Sequence, residues 1–179
     1  SNCSAVFGFP ASFTKSISAS VLGIPVIAIV AIIVALILAF LTIKTKLGRN
    51  IYALGGNKES AWYSGINVKL HTLIVFIISG LCAGIAGIVL LGRVGSAEPA
   101  AATGFETYAI AAAIIGGTSF FGGKGKIHGV VVGGLIIGVI NYGMNILSLS
   151  STLQQVVMGA LIIGSVALDR FVGSKNTSK

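Results

Sequence analysis

The sequence predicts an all-α, polytopic membrane protein with about five transmembrane helices, one of them short or interrupted, and a short helix in the polar loop between the first two. Three observations carry this prediction. Of the 179 residues, 55% are hydrophobic and only 9% charged, with a mean hydropathy of +1.00, whereas about a quarter of a soluble domain is charged. The charges collect at the ends of apolar runs. Several uncharged runs also reach the ~20 residues that cross ~30 Å of hydrocarbon at ~1.5 Å each.

Composition also excludes. A net charge of +8 suggests nucleic acid only where Lys and Arg form a dense stripe with aromatics, and here they flank apolar spans, where topology-setting charges belong. Cys3 and Cys82 stand far apart, with Cys82 inside an apolar run, which argues against a disulfide or a metal site. No nucleophile–base constellation is visible, so nothing supports a hydrolase. The opening "SNCSAVFGFPASF" lacks a basic region before an apolar core and does not read as a signal peptide. It reads as though cut from something longer.

In chain order, residues 1–20 form a segment on the outer side. Val21–Ile43 makes the first span, with Pro25 tolerated in its first turns. The polar loop 44–69 follows, containing "GRNIYALGGNKESAWYSGINVKLH" from Gly48 to His71. Asn57 suits an N-cap, "KESAWYS" a short helix and Gly65 its left-handed stop. Leu73–Gly92 is the second span. Phe105–Gly116 is apolar but short, and "GGTSFFGGKGKIHG" then breaks it. Residues 127–168 carry no formal charge and are too long for one span. They divide at Ser148–Thr152 into spans near 129–147 and 153–170, where Ser151 or Thr152 with Gln154 or Gln155 resembles a capping box. With the C-terminus inside, ten of the twelve Lys and Arg fall on the inner side: Lys44, Lys46, Arg49, Lys58, Lys69, Lys124, Lys126, Arg170, Lys175 and Lys179. Lys15 and Arg93 remain outside with Glu98 and Glu106. This asymmetry supports both the count and the orientation.

Small residues recur four apart at Gly80/Gly84, Ala83/Gly87, Gly129/Gly133, Gly134/Gly138 and Ala160/Gly164; such stripes let helix backbones approach, and generic packing within one subunit explains them. "GGTSFFGGKGK" is no phosphate loop, because the Gly-Lys-Ser/Thr spacing and a preceding strand are both missing. Glu106 is either a functional acid beside a short intramembrane helix or part of a capping box with Thr103. Asn141 and Asn145, one turn apart in a span, either face a polar pathway or bond a neighbouring helix, the second being favoured. His71 and His128 lie at the membrane edge without a second ligand at metal spacing. Trp62 and Tyr63 are anchors of an interfacial helix or of a docking element for a cytosolic partner.

A resemblance bears on that last choice. "TKLGRNIYALGGNKESAWYSGINV" is similar to the cytoplasmic signature of the ribose/galactoside-type permeases of ABC sugar importers, matching at Thr45, Gly48, Arg49, Tyr52, Ala53, Gly55, Gly56, Asn57, Ala61, Ser64, Gly65 and Ile66, with Ser60 where the family has alanine. "ATGFETYAIAAAIIGGTSFFGGKGKIHG" resembles a second family stretch, matching at Gly104, Glu106, Ala109–Ala112, Gly116–Ser119, Gly122, Gly123 and Gly125. Thr107-Tyr108 replaces the family's Leu-Asp. "LGIPV", residues 22–26, resembles the start of a family span.

The resemblance implies that residues 1–179 are the C-terminal half of a permease domain, with 1–20 periplasmic and 44–69 a cytoplasmic coupling loop. It implies an ATPase-coupling set of Gly48, Arg49, Gly55, Gly56, Asn57, Ala61, Trp62, Ser64 and Gly65. The pathway or gate would comprise Glu106, Gly116, Gly117, Thr118, Asn141 and Asn145. The implied partners are a second permease subunit, a cytosolic ABC ATPase, a periplasmic sugar-binding protein and the lipid bilayer of the bacterial inner membrane. The chain would hold no cofactor and perform no chemistry, ATP being bound and hydrolysed by a partner. A truncated structural or regulatory subunit is the rival expectation. An ion-driven carrier is weakened by the lack of paired intramembrane charges. Single cysteines replacing Lys58, Lys124 and Lys175 should be shielded from an impermeant thiol reagent in spheroplasts, and those replacing Lys15 and Glu98 labelled; labelling at position 58 from outside contradicts the topology.

Overall fold

Proline and glycine set the helix boundaries as much as apolar length does. The computed structural model describes residues 17, 19–21, 23–97 and 100–176. Lys15, Glu98 and most of segment 1–20 lie outside the described residues. Ser20–Val21 (β1) and Ile24–Pro25 (β2) form a two-residue antiparallel ladder turned by Gly23 at φ 81°. The first long helix, α1, therefore runs Val26–Lys44, and Pro25 is its N-cap at φ −58° and ψ 136° rather than a member of its first turns. The cause is local. Proline pushes the residue before it out of helical backbone, and its missing N–H is harmless only at a helix's open end.

The polar loop holds two helices, α2 (Lys46–Gly56) and α3 (Lys58–Tyr63), where the sequence reading placed only the second. Then come α4 (Val68–Val94), α5 (Phe105–Ile115), α6 (Ile127–Ile146) and α7 (Ser151–Asn176). By length and composition α1, α4 and α6 suffice to cross a membrane, while α5 and the Ser151–Ala167 part of α7 are shorter apolar helices. Five apolar helices thus stand where the sequence places them, in an all-α architecture. The 11 residues of α5 cover about 16 Å, half the hydrocarbon thickness.

The core lies between α5, α6 and α7. Tyr108, Ala111, Ala112 and Ile115 make an i, i+3, i+4, i+7 stripe on α5 that meets Ile137, Ile140 and Met144 of α6 and Met158, Leu161 and Ile162 of α7. Glycine brings α5 and α6 into backbone contact. A Cβ on Gly133 would collide with the Ala112 carbonyl and come within 2.8 Å of the Gly116 nitrogen, and Gly116 and Gly129 abut in the same way. Without a hydrophobic drive between helices in lipid, such close approach is the main source of attraction. The subunit packing expected of all the small-residue pairs holds for Gly129/Gly133 alone. Gly80, Gly84, Gly87, Gly134, Gly138 and Gly164 have nothing within 4 Å of a Cβ among the described residues. The apolar windows of α1 and α4 bury no residue, so the described helices leave most of their apolar length open.

Two capping boxes that the sequence allows are not made, the one at α5 being the alternative to a functional acid at Glu106. The N-cap of α5 is Gly104 at φ 87°, with no side-chain bond to the helix. A left-handed glycine fits where the chain turns sharply into a helix, and it leaves Thr103 out of reach. At α7 the capping oxygen is Ser150 Oγ, which accepts from Leu153 N–H (3.5 Å), while Gln154 Nε2 donates to the Leu149 carbonyl (3.0 Å) instead of reaching back to the cap. The break near Ser148 is a Schellman-type stop closed by Leu149 N–H to Met144 O (3.2 Å) and Ser148 N–H to Asn145 O (3.0 Å), with Ser148 at φ 51°.

The α5–α6 crossing predicts a sharp contrast between neighbouring glycines. In this chain purified in detergent, Gly133→Val should cost about 1–3 kcal/mol by overpacking and lower the thermal unfolding midpoint by several degrees, whereas Gly134→Val should leave it unchanged. Equal effects contradict the crossing.

Candidate functional site

The polar loop is built as a rigid bracket. Thr45 ends α1 and starts α2: its Oγ1 donates to the Leu41 carbonyl and accepts from Gly48 N–H (3.2 Å). Gly48 is buried, and a Cβ there would strike the Thr42 carbonyl. Only glycine lets α2 fold so tightly onto the last turn of α1. Asn57 then separates α2 from α3, and its Oδ1 accepts from both Glu59 and Ser60 N–H at 3.0 Å. A full Schellman stop closes α3, with Gly65 N–H to Trp62 O (2.9 Å), Ile66 N–H to Ala61 O (3.1 Å) and Gly65 at φ 80°. The predicted cap and stop are both in place. Asn67 caps α4 by accepting from Leu70 N–H (3.1 Å). Asn50 Nδ2 donates to His71 Nε2 (3.0 Å), which leaves Nδ1 as donor to the Asn67 carbonyl (2.9 Å). His71 is therefore a tie between α2 and α4.

The bracket turns one residue inward and its aromatics outward. Ala61 is 3% exposed, while Trp62 and Tyr63 are 63% and 79% exposed, edge to face at 5.0 Å. Arg49, Lys58, Glu59 and Ser64 are also exposed. An open groove of about 690 Å³ between α3 and the start of α4 is lined by Lys58, Glu59, Trp62, Tyr63 and Lys69. A surface of this kind, aromatic and mixed in charge on a stiff frame, suits protein recognition.

The loop joining α5 to α6 lies against this bracket. It opens with another Schellman stop: Gly117, at φ 83°, donates to Ile114 O (2.9 Å), and Thr118 N–H donates to Ala113 O (3.0 Å). Gly122 and Gly123 are left-handed at φ 90° and 72° and meet α2 backbone to backbone. A Cβ on Gly55 would lie 2.8 Å from the Gly123 nitrogen, while one on Gly56 would find only ordinary contact, with Gly123 Cα at 3.9 Å. Tyr52 Oη donates to the Gly125 carbonyl (2.9 Å), and Ser119 Oγ donates to Asp169 Oδ2 on α7 (2.9 Å). Thr118 Oγ1 is buried with no hydrogen-bond partner among the described residues. These contacts bring the polar loop, residues 116–126 and the later part of α7 to one end of the bundle, the end carrying Lys44, Lys46, Arg49, Lys58, Lys69, Lys124 and Lys126.

Glu106, Asn141 and Asn145 belong to the other end, so the expected pathway set is divided: Gly116, Gly117 and Thr118 lie with the bracket. Asn145 Nδ2 donates to Asn141 O (3.0 Å) and Oδ1 (3.3 Å), and Gln154 Nε2 of α7 approaches Asn145 Oδ1 (3.4 Å). The favoured bond to a neighbouring helix exists, beside stronger bonds within α6. Glu106 is exposed in the first turn of α5. Continuing the register in which Ala112 meets Gly133 and Gly116 meets Gly129 sets it level with Val139, about two turns short of the end of α6. No group of His, Cys, Asp or Glu among the described residues is placed to hold a metal.

Tyr52 was legible only as a motif match and Asp169 not at all, because their partners lie 73 and 50 residues away in sequence. The available signal was an isolated acid at the end of an otherwise uncharged span.

Residues 2–166 match the family described as branched-chain amino acid transport system / permease component. The D-allose transport system permease protein AlsC of Escherichia coli (strain K12) is 64% identical over 172 residues, 96% of this chain and 53% of that protein. The ribose import permease protein RbsC of Bacillus subtilis (strain 168) is 46% identical over 149 residues, covering 83% of this chain and 46% of its own length. The xylose transport system permease protein XylH of Haemophilus influenzae is 42% identical over 147 residues, 82% and 39% respectively. The chain spans about half the length of the curated relatives it matches. No solved structure matches. With the match running from ahead of α1 into α7, the chain belongs to this family of transport-system permease components, alongside permeases named for allose, ribose and xylose.

Proposed function

We propose that the chain forms part of the membrane-spanning permease of an ATP-driven monosaccharide importer, with α2–α3 as the docking element for a cytosolic ATPase. The observation that carries this reading is the exposed Trp62–Tyr63 pair on a helix fixed at both ends by side-chain and glycine caps. A helix meant only to rest among headgroups needs no such frame. The basic residues gathered at the same end support a cytoplasmic position for it, and hence for the C-terminus, in a bacterial inner membrane. Identity to AlsC makes D-allose the first sugar to try, with ribose and xylose as alternatives.

The chain itself catalyses nothing in this reading. ATP is bound and hydrolysed by the partner, a periplasmic binding protein delivers the sugar, and a second permease subunit completes the path. Sugar and nucleotide shift the permease between inward- and outward-open states through their differential affinity for the two. The short α5 supports placing the pathway at the far end. Non-helical backbone at membrane depth is tolerated only inside protein or beside water, and residues 100–104 are turns preceding an 11-residue helix. Glu106, Asn141, Asn145 and Gln154 would then offer polar groups to sugar hydroxyls or to the gate.

The test uses the full-length permease with its ATPase. Trp62→Ala with Tyr63→Ala should reduce ATPase co-purification by about tenfold or more, as loss of aromatic hot spots does. Gly65→Val should strain the Schellman stop by ~1–3 kcal/mol and abolish stimulation of ATP hydrolysis by loaded binding protein. Stimulation undiminished in all these variants reduces α3 to an interfacial helix.

A further inference from the structure

We propose that the loop 116–126 transmits displacement of the docking segment to α5, α6 and α7, and that Tyr52, Ser119 and Asp169 are positioning residues for this coupling. The inference rests on the docking reading above and adds the route by which a docked partner moves the bundle.

Among the apolar helices, α2 and α3 pack closely only against α1 and α4, neither of which contributes to the α5–α6–α7 core. A force applied at Trp62 can reach α6 through α1, which packs against it, but the loop is the contact that runs directly into both α5 and α6. The loop continues directly into α5 at one end and α6 at the other. Its middle is gripped from two sides. On the α2 side, Gly55 meets Gly122 and Gly123 with no side chain between them, and Tyr52 Oη holds the Gly125 carbonyl. On the α7 side, Ser119 Oγ holds the Asp169 carboxylate. Ser119 also closes the loop on itself. Its N–H donates to Lys124 O (3.0 Å), its carbonyl accepts from Gly122 N–H (3.2 Å), and its Oγ accepts from Phe121 N–H (3.3 Å).

The mechanics follow from packing. Backbone atoms in direct contact cannot yield as the far end of a flexible side chain does, and close-packed interfaces switch between discrete arrangements instead of deforming smoothly. Moving α2 towards the loop must move the loop. Moving it away must break the Tyr52 bond or carry Gly125 along. Either way the first residues of α6, which start two positions after Gly125, and the end of α5, which stops at Ile115, are displaced together. Asp169 links the same displacement to α7. The simpler account is that these bonds only hold a loop in shape. It leaves unexplained why a short loop is tied to two different helices, α2 and α7.

The experiment reconstitutes the full-length permease with its ATPase and binding protein in proteoliposomes, with D-allose as probe. Tyr52→Phe, Ser119→Ala and Asp169→Ala are compared for ATPase co-purification, ATP hydrolysis and sugar taken up per ATP. The expected result is wild-type co-purification and hydrolysis with uptake per ATP reduced about fivefold, the scale of one lost hydrogen bond. Ser119→Ala with Asp169→Ala should be no worse than Ser119→Ala alone, because Ser119→Ala already removes the bond to Asp169, and Ser119→Thr should restore the ratio by keeping the hydroxyl. Unchanged uptake per ATP in Tyr52→Phe and Ser119→Ala overturns the proposal. So does a parallel fall of hydrolysis and uptake, which a purely structural role predicts. Failure of the docking reading is seen separately, as ATPase retention after the Trp62 and Tyr63 substitutions.

Discussion

Backbone-to-backbone contact through glycine is the constraint on which the described fold depends. In lipid, apolar helices gain nothing by leaving hydrocarbon for one another, so what joins them must be dispersion and weak polar contact at short range. Two such contacts organise this chain. At the α5–α6 crossing, Gly116, Gly129 and Gly133 let the helices touch with no side chain between them. At the bundle end, Gly55 meets Gly122 and Gly123 in the same manner. Remove the first and the three-helix core opens. Remove the second and the polar bracket becomes a loop hanging from α1 and α4.

Around these contacts the polar groups are used economically. Thr45, Asn57, Asn67 and Ser150 each accept from orphan N–H groups at a helix start, and glycines at positive φ close α3, α4 and α5. This keeps a 23-residue stretch between α1 and α4 short of free backbone groups. A segment so satisfied is stiff, and stiffness is what the proposed docking role needs if movement at its face is to reach the membrane part of the molecule.

How much of this was legible in the sequence varies with the range of the interaction. Asn57, Gly65 and the break near Ser148 act within five residues, and each was read correctly. Pro25 and the capping box at α7 are also local, yet the structure departs from both. Hydrophobic run length placed the helix start ahead of Pro25, and the [ST]-x-x-[EQ] pattern carries no information about the φ of the residue before the helix. The division of the glycines was not readable at all. Gly133 and Gly134 are chemically identical neighbours, and which one faces α5 depends on helix phase and on where the partner lies. The same holds for Asp169 and Tyr52, whose roles exist only once distant segments meet. Helix α2 was missed because three of its 11 residues, Gly48, Gly55 and Gly56, have poor helix propensity, which the tertiary contact with α1 outweighs.

In the proposed role, the α2–α3 bracket and the loop 116–126 move as one body. Spin labels on cysteines replacing Lys58 and Lys124, both exposed, in full-length permease lacking Cys3 and Cys82, measure this by pulsed electron–electron distance. The account predicts one distance distribution, unchanged within about 2 Å between nucleotide-free and ATP-bound transporter, the scale of a small helix shift. A second population, or a shift of about 5 Å or more, one helical turn, would show the bracket sliding over the loop and contradict it.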